Sequence, residues 1–110
     1  MSDQALYRSK LDECPLTHAL NLIGGKWRLP IIWALYKNGT MRYNELKRSI
    51  DGITSMVLTQ SLKELELCGI INRVQFMEVP PRVEYSLTED GEALIPALKA
   101  LADWGKKMKA

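Results

Sequence analysis

Residues 54–88 read TSMVLTQSLKELELCGIINRVQFMEVPPRVEYSLT, and the apolar period changes once along them, from that of a helix to that of a strand. Thr54 suits an N-cap, its hydroxyl accepting from a backbone N–H two or three residues on. Leu58, Leu62 and Leu65 then form a stripe at i, i+4 and i+7, the spacing of one buried helix face. Gly69 stands where a helix stop is expected. Beyond it Val74 and Phe76 alternate with Arg73, Gln75 and Met77, and Val83, Tyr85 and Leu87 alternate with Arg82, Glu84 and Ser86. With Val79-Pro80-Pro81 between them, the two runs predict an antiparallel ribbon with a proline-stiffened tip.

Upstream, Glu45 to Ile50 predicts a short helix with Leu46 and Ile50 inward, and Asp51-Gly52 a turn into the helix capped by Thr54. Thr40 to Tyr43 suggests a short strand. Lys26 to Lys37 predicts a helix with Trp27, Ile31, Ala34 and Leu35 on one face, Pro30 being tolerated in its first turn. Another helix opens at Cys14-Pro15, carries Leu16, Ala19, Leu20 and Ile23, and ends at Gly24-Gly25. Downstream, Thr88 caps a last helix, with Glu89 and Asp90 at its positive end and Leu94, Leu98, Leu101, Gly105 and Met108 on one face. The predicted fold is mainly α with a small β-hairpin, a winged helix-turn-helix. Residues 1–13 form an N-terminal arm and 14–110 the domain. This architecture binds DNA first and proteins second.

The whole chain has 110 residues, 46% hydrophobic and 25% charged, with a formal net charge of +2. That is one ordinary globular domain, short enough that self-association would bury apolar surface it otherwise exposes. The charge is uneven. Residues 26–48 hold Lys26, Arg28, Lys37, Arg42, Lys47 and Arg48 against Glu45 alone, a surplus of +5. Residues 49–69 come to −2, residues 1–25 to −1, and the remaining two segments are neutral. The surplus flanks the helix capped by Thr54, whose outer face carries Ser55, Met56, Thr59, Gln60 and Lys63. Short hydroxyl and amide groups suit base edges, and flanking basic residues suit phosphates.

Other functions find little material. One histidine, no Gly-rich phosphate loop, no HExxH and no CxxC leave no enzyme motif, so no enzyme and no cofactor is expected. Cys14 and His18 have metal-ligand spacing, but no third ligand is apparent and no metal site is expected. A thiol enzyme built on Cys14 would lack a resolving partner. A protein-interaction module would need an apolar outer face on the fourth helix, where Met56 is the only apolar candidate. Two cysteines do not make a secreted scaffold, and neither a signal peptide nor a membrane span is evident, which points to the cytoplasm.

Several runs together resemble the HxlR family of MarR-like winged-helix transcriptional regulators. They are Cys14-Pro15-Leu16, Gly24-Gly25-Lys26-Trp27, Arg42-Tyr43-Asn44-Glu45-Leu46, Leu58-Thr59-Gln60, Leu62-Lys63-Glu64-Leu65, Val79 through Thr88, and Gly91. The likeness covers about residues 14–105. It implies a homodimer on a pseudo-palindromic operator in double-stranded DNA. The fourth helix would lie in the major groove, with the wing around Pro80 to Arg82 on the minor groove or backbone. The first and last helices would form the dimer interface, through Leu16, Leu20, Leu94, Leu98, Leu101 and Trp104. A subset of the family has a cysteine at the position of Cys14, and in that subset the thiol senses oxidants or electrophiles such as quinones and aldehydes. Ser55 and Met56 depart from the Pro and Lys/Arg common there, as does Ser61 from Arg, so the recognition helix is less basic than is usual in the family.

Weighed singly, Cys14 sits at a helix N-terminus, where the dipole favours a thiolate. Lys10 and His18 lie at i−4 and i+4 from it. Cys68 is expected to be buried and inert. Arg42 could contact phosphate or pair with Glu45. Arg82 has no obvious task within the chain, which favours a DNA contact. Lys26 and Arg28 could contact phosphate or simply be solvated. Trp27, Tyr43, Phe76 and Tyr85 are expected in the core.

Overall fold

A computed structural model describes residues 14–109, so the expected N-terminal arm lies outside the described residues. The elements are α1 (Pro15–Ile23), α2 (Arg28–Asn38), β1 (Met41–Arg42), α3 (Tyr43–Ser49), α4 (Ser55–Leu67), β2 (Ile71–Phe76), β3 (Arg82–Leu87), α5 (Glu89–Ala93) and α6 (Ile95–Met108). The strands form an antiparallel sheet in the order β1-β3-β2. The fold is a winged helix-turn-helix, with α3 and α4 as the helix pair and β2–β3 as the wing.

The core explains the order. Ile31, Ile32, Ala34 and Leu35 of α2 are buried, a face wide enough to pack on both α4 and the sheet. Leu46, Leu58, Leu62, Leu65 and Ile71 close over it, with Tyr85 at the sheet's centre. Each fully buried aliphatic side chain contributes about 1.5–3 kcal/mol. Thr54 caps α4 as its sequence suggests, its hydroxyl accepting from the Val57 N–H at 3.2 Å. Ser61 lies on the buried side of α4, so of the three departures from the family pattern only Ser55 and Met56 alter its outer face.

Gly91 joins the wing to the terminal helices. It is buried, and a Cβ there would stand 2.3 Å from the Ile70 carbonyl oxygen. The Thr88 hydroxyl ties the same junction. It donates to the carbonyls of Gly69 at 2.6 Å and Ile70 at 3.1 Å, and accepts from the Gly91 N–H at 3.0 Å.

Three expectations change. The last helix is two helices meeting at Leu94, because Pro96 has no N–H to continue the ladder. The expected strand at Thr40 to Tyr43 is two residues long, since Tyr43 already begins α3. Phe76 is not in the core. In the wing register Ile71, Arg73 and Gln75 oppose Leu87, Tyr85 and Val83, on the inner face. Asn72, Val74 and Phe76 therefore face outward, by the period-2 alternation of a strand. Val74 is 47% exposed, and Phe76 packs under Arg82 rather than on the core.

Candidate nucleic-acid interface

The outer face of α4 is built by subtraction. Leu58, Ser61, Leu62 and Leu65 are turned inward, which leaves Ser55, Met56, Thr59, Gln60 and Lys63 together on the exposed side. α3 holds this face in place through Tyr43. Its ring packs against the core, and its hydroxyl donates to the Ser55 carbonyl at 3.0 Å and lies 3.1 Å from Thr59 Oγ1. The hydroxyl of Tyr43 thus joins the exposed polar set, a role that the expectation of a core aromatic did not include.

Lys63 lies beside a groove of about 320 Å³ between α4 and β2, lined with Thr59, Leu62, Glu66, Arg73 and Tyr85. Arg73 was not among the expected contacts. Its place opposite Tyr85 puts it on the helix-facing side of a wing strand that has run past the core. The signal was present in the alternation, but Val74 and Phe76 claimed the inner face. A second groove, about 400 Å³, separates α3 from the wing tip and is lined by Arg42, Asn44, Pro80 and Arg82 among others. The Val79–Pro80 peptide at this tip is cis.

The basic residues divide by their partners. Arg42 is exposed, and the Glu45 carboxylate accepts from its backbone N–H at 2.8 Å rather than from its guanidinium. The Arg42 guanidinium forms no ion pair with another described residue. Arg82, expected to have no task within the chain, has three. Its guanidinium stacks 4.2 Å from the Phe76 ring centroid, Nη2 lies 3.3 Å from Glu78 Oε1, and Nε lies 3.2 Å from Glu84 Oε2. Lys26 Nζ sits 4.9 Å over the Trp27 ring. Arg28 is not a solvated charge. It donates to the carbonyls of Asn21 (3.2 Å) and Leu22 (2.9 Å) at the end of α1, and pairs with the Glu64 carboxylate of α4.

Cys14 is exposed at the N-cap of α1. The thiol itself makes no capping hydrogen bond. The Thr17 N–H, the Thr17 hydroxyl and the Leu16 N–H, in that order, favour the thiolate and hold the thiol below its ordinary pKa. Cys68, expected to be buried, is exposed at the C-cap of α4. The expectation from composition failed because the helix ends before Cys68 can turn inward.

Of the expected interface residues, Leu16 (68% exposed), Leu20 (52%), Leu101 (52%) and Trp104 (60%) are open to solvent. Leu98 is buried and Leu94 packs against the same core, so both already serve their own chain. Met108, at the end of α6, is exposed as well. Among the described residues no group of three His, Cys, Asp or Glu could hold a metal ion, and no helix is long and apolar enough to cross a membrane.

A capped helix presenting hydroxyl, amide and ammonium groups beside a hairpin wing defines the class of winged-helix DNA-binding proteins. Residues 22–110 match the HxlR-like helix-turn-helix family. The chain belongs to that family and is a transcriptional regulator of the helix-turn-helix type. An uncharacterised HTH-type transcriptional regulator of Methanothermobacter thermautotrophicus is 50% identical over 93 residues, covering 84% of this chain and 70% of the relative. One from Halalkalibacterium halodurans is 43% identical over 106 residues and 94% of each chain. Among solved structures, the redox regulator HypR in its oxidized form is 41% identical with a TM-score of 0.79, over 86% of this chain and 96% of that one. The reduced form of the regulator YodB from Bacillus subtilis is 34% identical with a TM-score of 0.77, over 87% and 94%.

Proposed function

We propose that this protein is a cytoplasmic, homodimeric, sequence-specific DNA-binding repressor controlled by oxidation or alkylation of Cys14. The observation that carries it is the exposed polar face of α4, with Ser55, Met56, Thr59, Gln60 and Lys63 side by side. In this reading α4 enters the major groove, and Arg42, Arg73 and Lys63 contact phosphates on either side. Lys26 adds long-range attraction. Arg82 reaches the DNA only by leaving Glu78 and Glu84, so its contribution is smaller than its position on the wing suggests.

The dimer forms through the open apolar residues of α1 and α6. Two recognition helices must then sit about 34 Å apart to meet successive major grooves. Cys14 stands at the N-cap of α1, the helix that carries Leu16 and Leu20. A disulfide or adduct there shifts α1 against its partner and rotates the two α4 helices out of register. The likeness to two redox-named regulator structures supports this control.

The test is a gel shift with the DNA upstream of the protein's own gene, repeated at several salt concentrations and after diamide. A sequence-selective, salt-sensitive complex is expected, and its absence overturns the DNA-binding reading. Oxidation of Cys14, confirmed by mass, should release the DNA. An unchanged complex overturns the thiol control alone.

A further inference from the structure

Gln60 is the longest amide on the outer face of α4, and it is not free. Its Nε2 donates to Glu64 Oε1 at 2.8 Å, one turn further on. A carboxylate only accepts, so the partner must be the NH₂ group, which settles which way the amide points. The other carboxylate oxygen, Oε2, is held by Arg28 Nη2. Arg28 is fixed in turn by the Asn21 and Leu22 carbonyls, which α1 leaves unpaired at its C-terminus. Glu64 is therefore gripped at both oxygens. The same two bonds, Gln60 first and Arg28 second, hold its carboxyl below the ordinary pKa.

We infer that Arg28 and Glu64 are positioning residues that orient Gln60 for base readout, making one operator position specific for adenine. This rests on the DNA-binding reading above. With one N–H engaged by Glu64, Gln60 keeps one N–H and its carbonyl oxygen. That donor and acceptor match N7 and N6 of adenine in the major groove. Without Glu64 the amide can rotate by half a turn and exchange the two, so either adenine or another base is accommodated. The chain of bonds also joins the end of the Cys14-bearing helix to the reading side chain. A movement of α1 therefore reaches the base contact without passing through the core.

The test selects duplexes from a random library with the full-length protein and then measures affinities for the selected duplex and its single-base variants. The wild type should prefer adenine at one position per half-site by roughly 10- to 100-fold. Q60A and E64A should each reduce that preference to a few-fold, at the same position only. In the Q60A background E64A should change nothing further there, because the two act through one contact. R28M should reproduce E64A. If R28M is unstable, E64A and the double variant still decide, since Glu64 is partly exposed and outside the core. Overturning results are an E64A variant with the wild-type base preference, or one whose affinity changes equally for all duplexes. They also include a Q60A variant with no position relaxed. A wild type that selects no sequence overturns the DNA-binding reading itself.

Discussion

Two sets of exposed side chains in this small domain have opposite chemistry. The outer side of α4 offers hydroxyl, amide and ammonium groups, with Met56 its apolar exception. α1 leaves Leu16 and Leu20 open to solvent, and α6 leaves Leu101, Trp104 and Met108. A polar face costs nothing in water and gains specificity when a partner supplies matching donors and acceptors. Large apolar side chains this exposed are costly in water until something covers them. On the proposed reading DNA covers the first and a second copy the second. The two should therefore fail differently when altered.

The largest effect is expected from the apolar face. L20D with W104D should leave the fold intact, since both side chains are more than half exposed. The variant should sediment as a monomer and lose on the order of 100-fold or more in operator affinity, because each half-site must then bind alone. A monomeric variant that keeps wild-type affinity would break the link between the faces.

Next is the junction that joins them. Gly91→Ala places a methyl group 2.3 Å from the Ile70 carbonyl, which the backbone must move to relieve. It should destabilise the domain by roughly 2–3 kcal/mol in denaturant titration, the cost of overpacking a site with no slack. An unchanged midpoint would mean that the wing root moves freely relative to α5.

The polar face predicts smaller, additive losses. Lys63→Ala and Arg73→Ala should each weaken binding to all sequences alike and reduce the salt-dependence slope by about 1. Trp104→Ala should leave the slope per bound dimer unchanged. A change of base preference in either basic variant would place that residue among the base readers instead.

Much of this was legible in the chain. Thr54, the leucine stripe and Gly69 specify α4 locally, and the outer face follows once the inner one is known. The wing was legible as a hairpin but not in its facing. Val74 and Phe76 carry the apolar signal, yet they lie on the outer face because Ile71 is the last β2 residue over the core. Beyond that point alternation no longer reports burial, and Phe76 finds its partner in Arg82 instead. The Arg28–Glu64 pair was illegible because its members are 36 residues apart. Nothing in spacing or charge joins them until α2 packs on α4. Cys68 misled for a different reason, since composition speaks of burial on average while a helix end sets it here.

The smallest expected effect concerns the thiol. Its folded pKa lies below the ordinary value, so the thiolate persists to lower pH in the folded chain. The stabilisation is fully present above the ordinary thiol range and is lost as pH falls through the depressed value. Alkylation of Cys14 by iodoacetamide should accordingly show a rate–pH midpoint below that of a free thiol. The gain in rate at neutral pH should be well under tenfold, because a less basic thiolate is also a weaker nucleophile. Thr17→Ala should move the midpoint only part of the way back. It removes the hydroxyl but leaves the Thr17 N–H, the larger of the two causes. A complete return in that variant would show that the hydroxyl, not the helix terminus, activates Cys14, and would separate thiol reactivity from the position of Cys14 beside the apolar face.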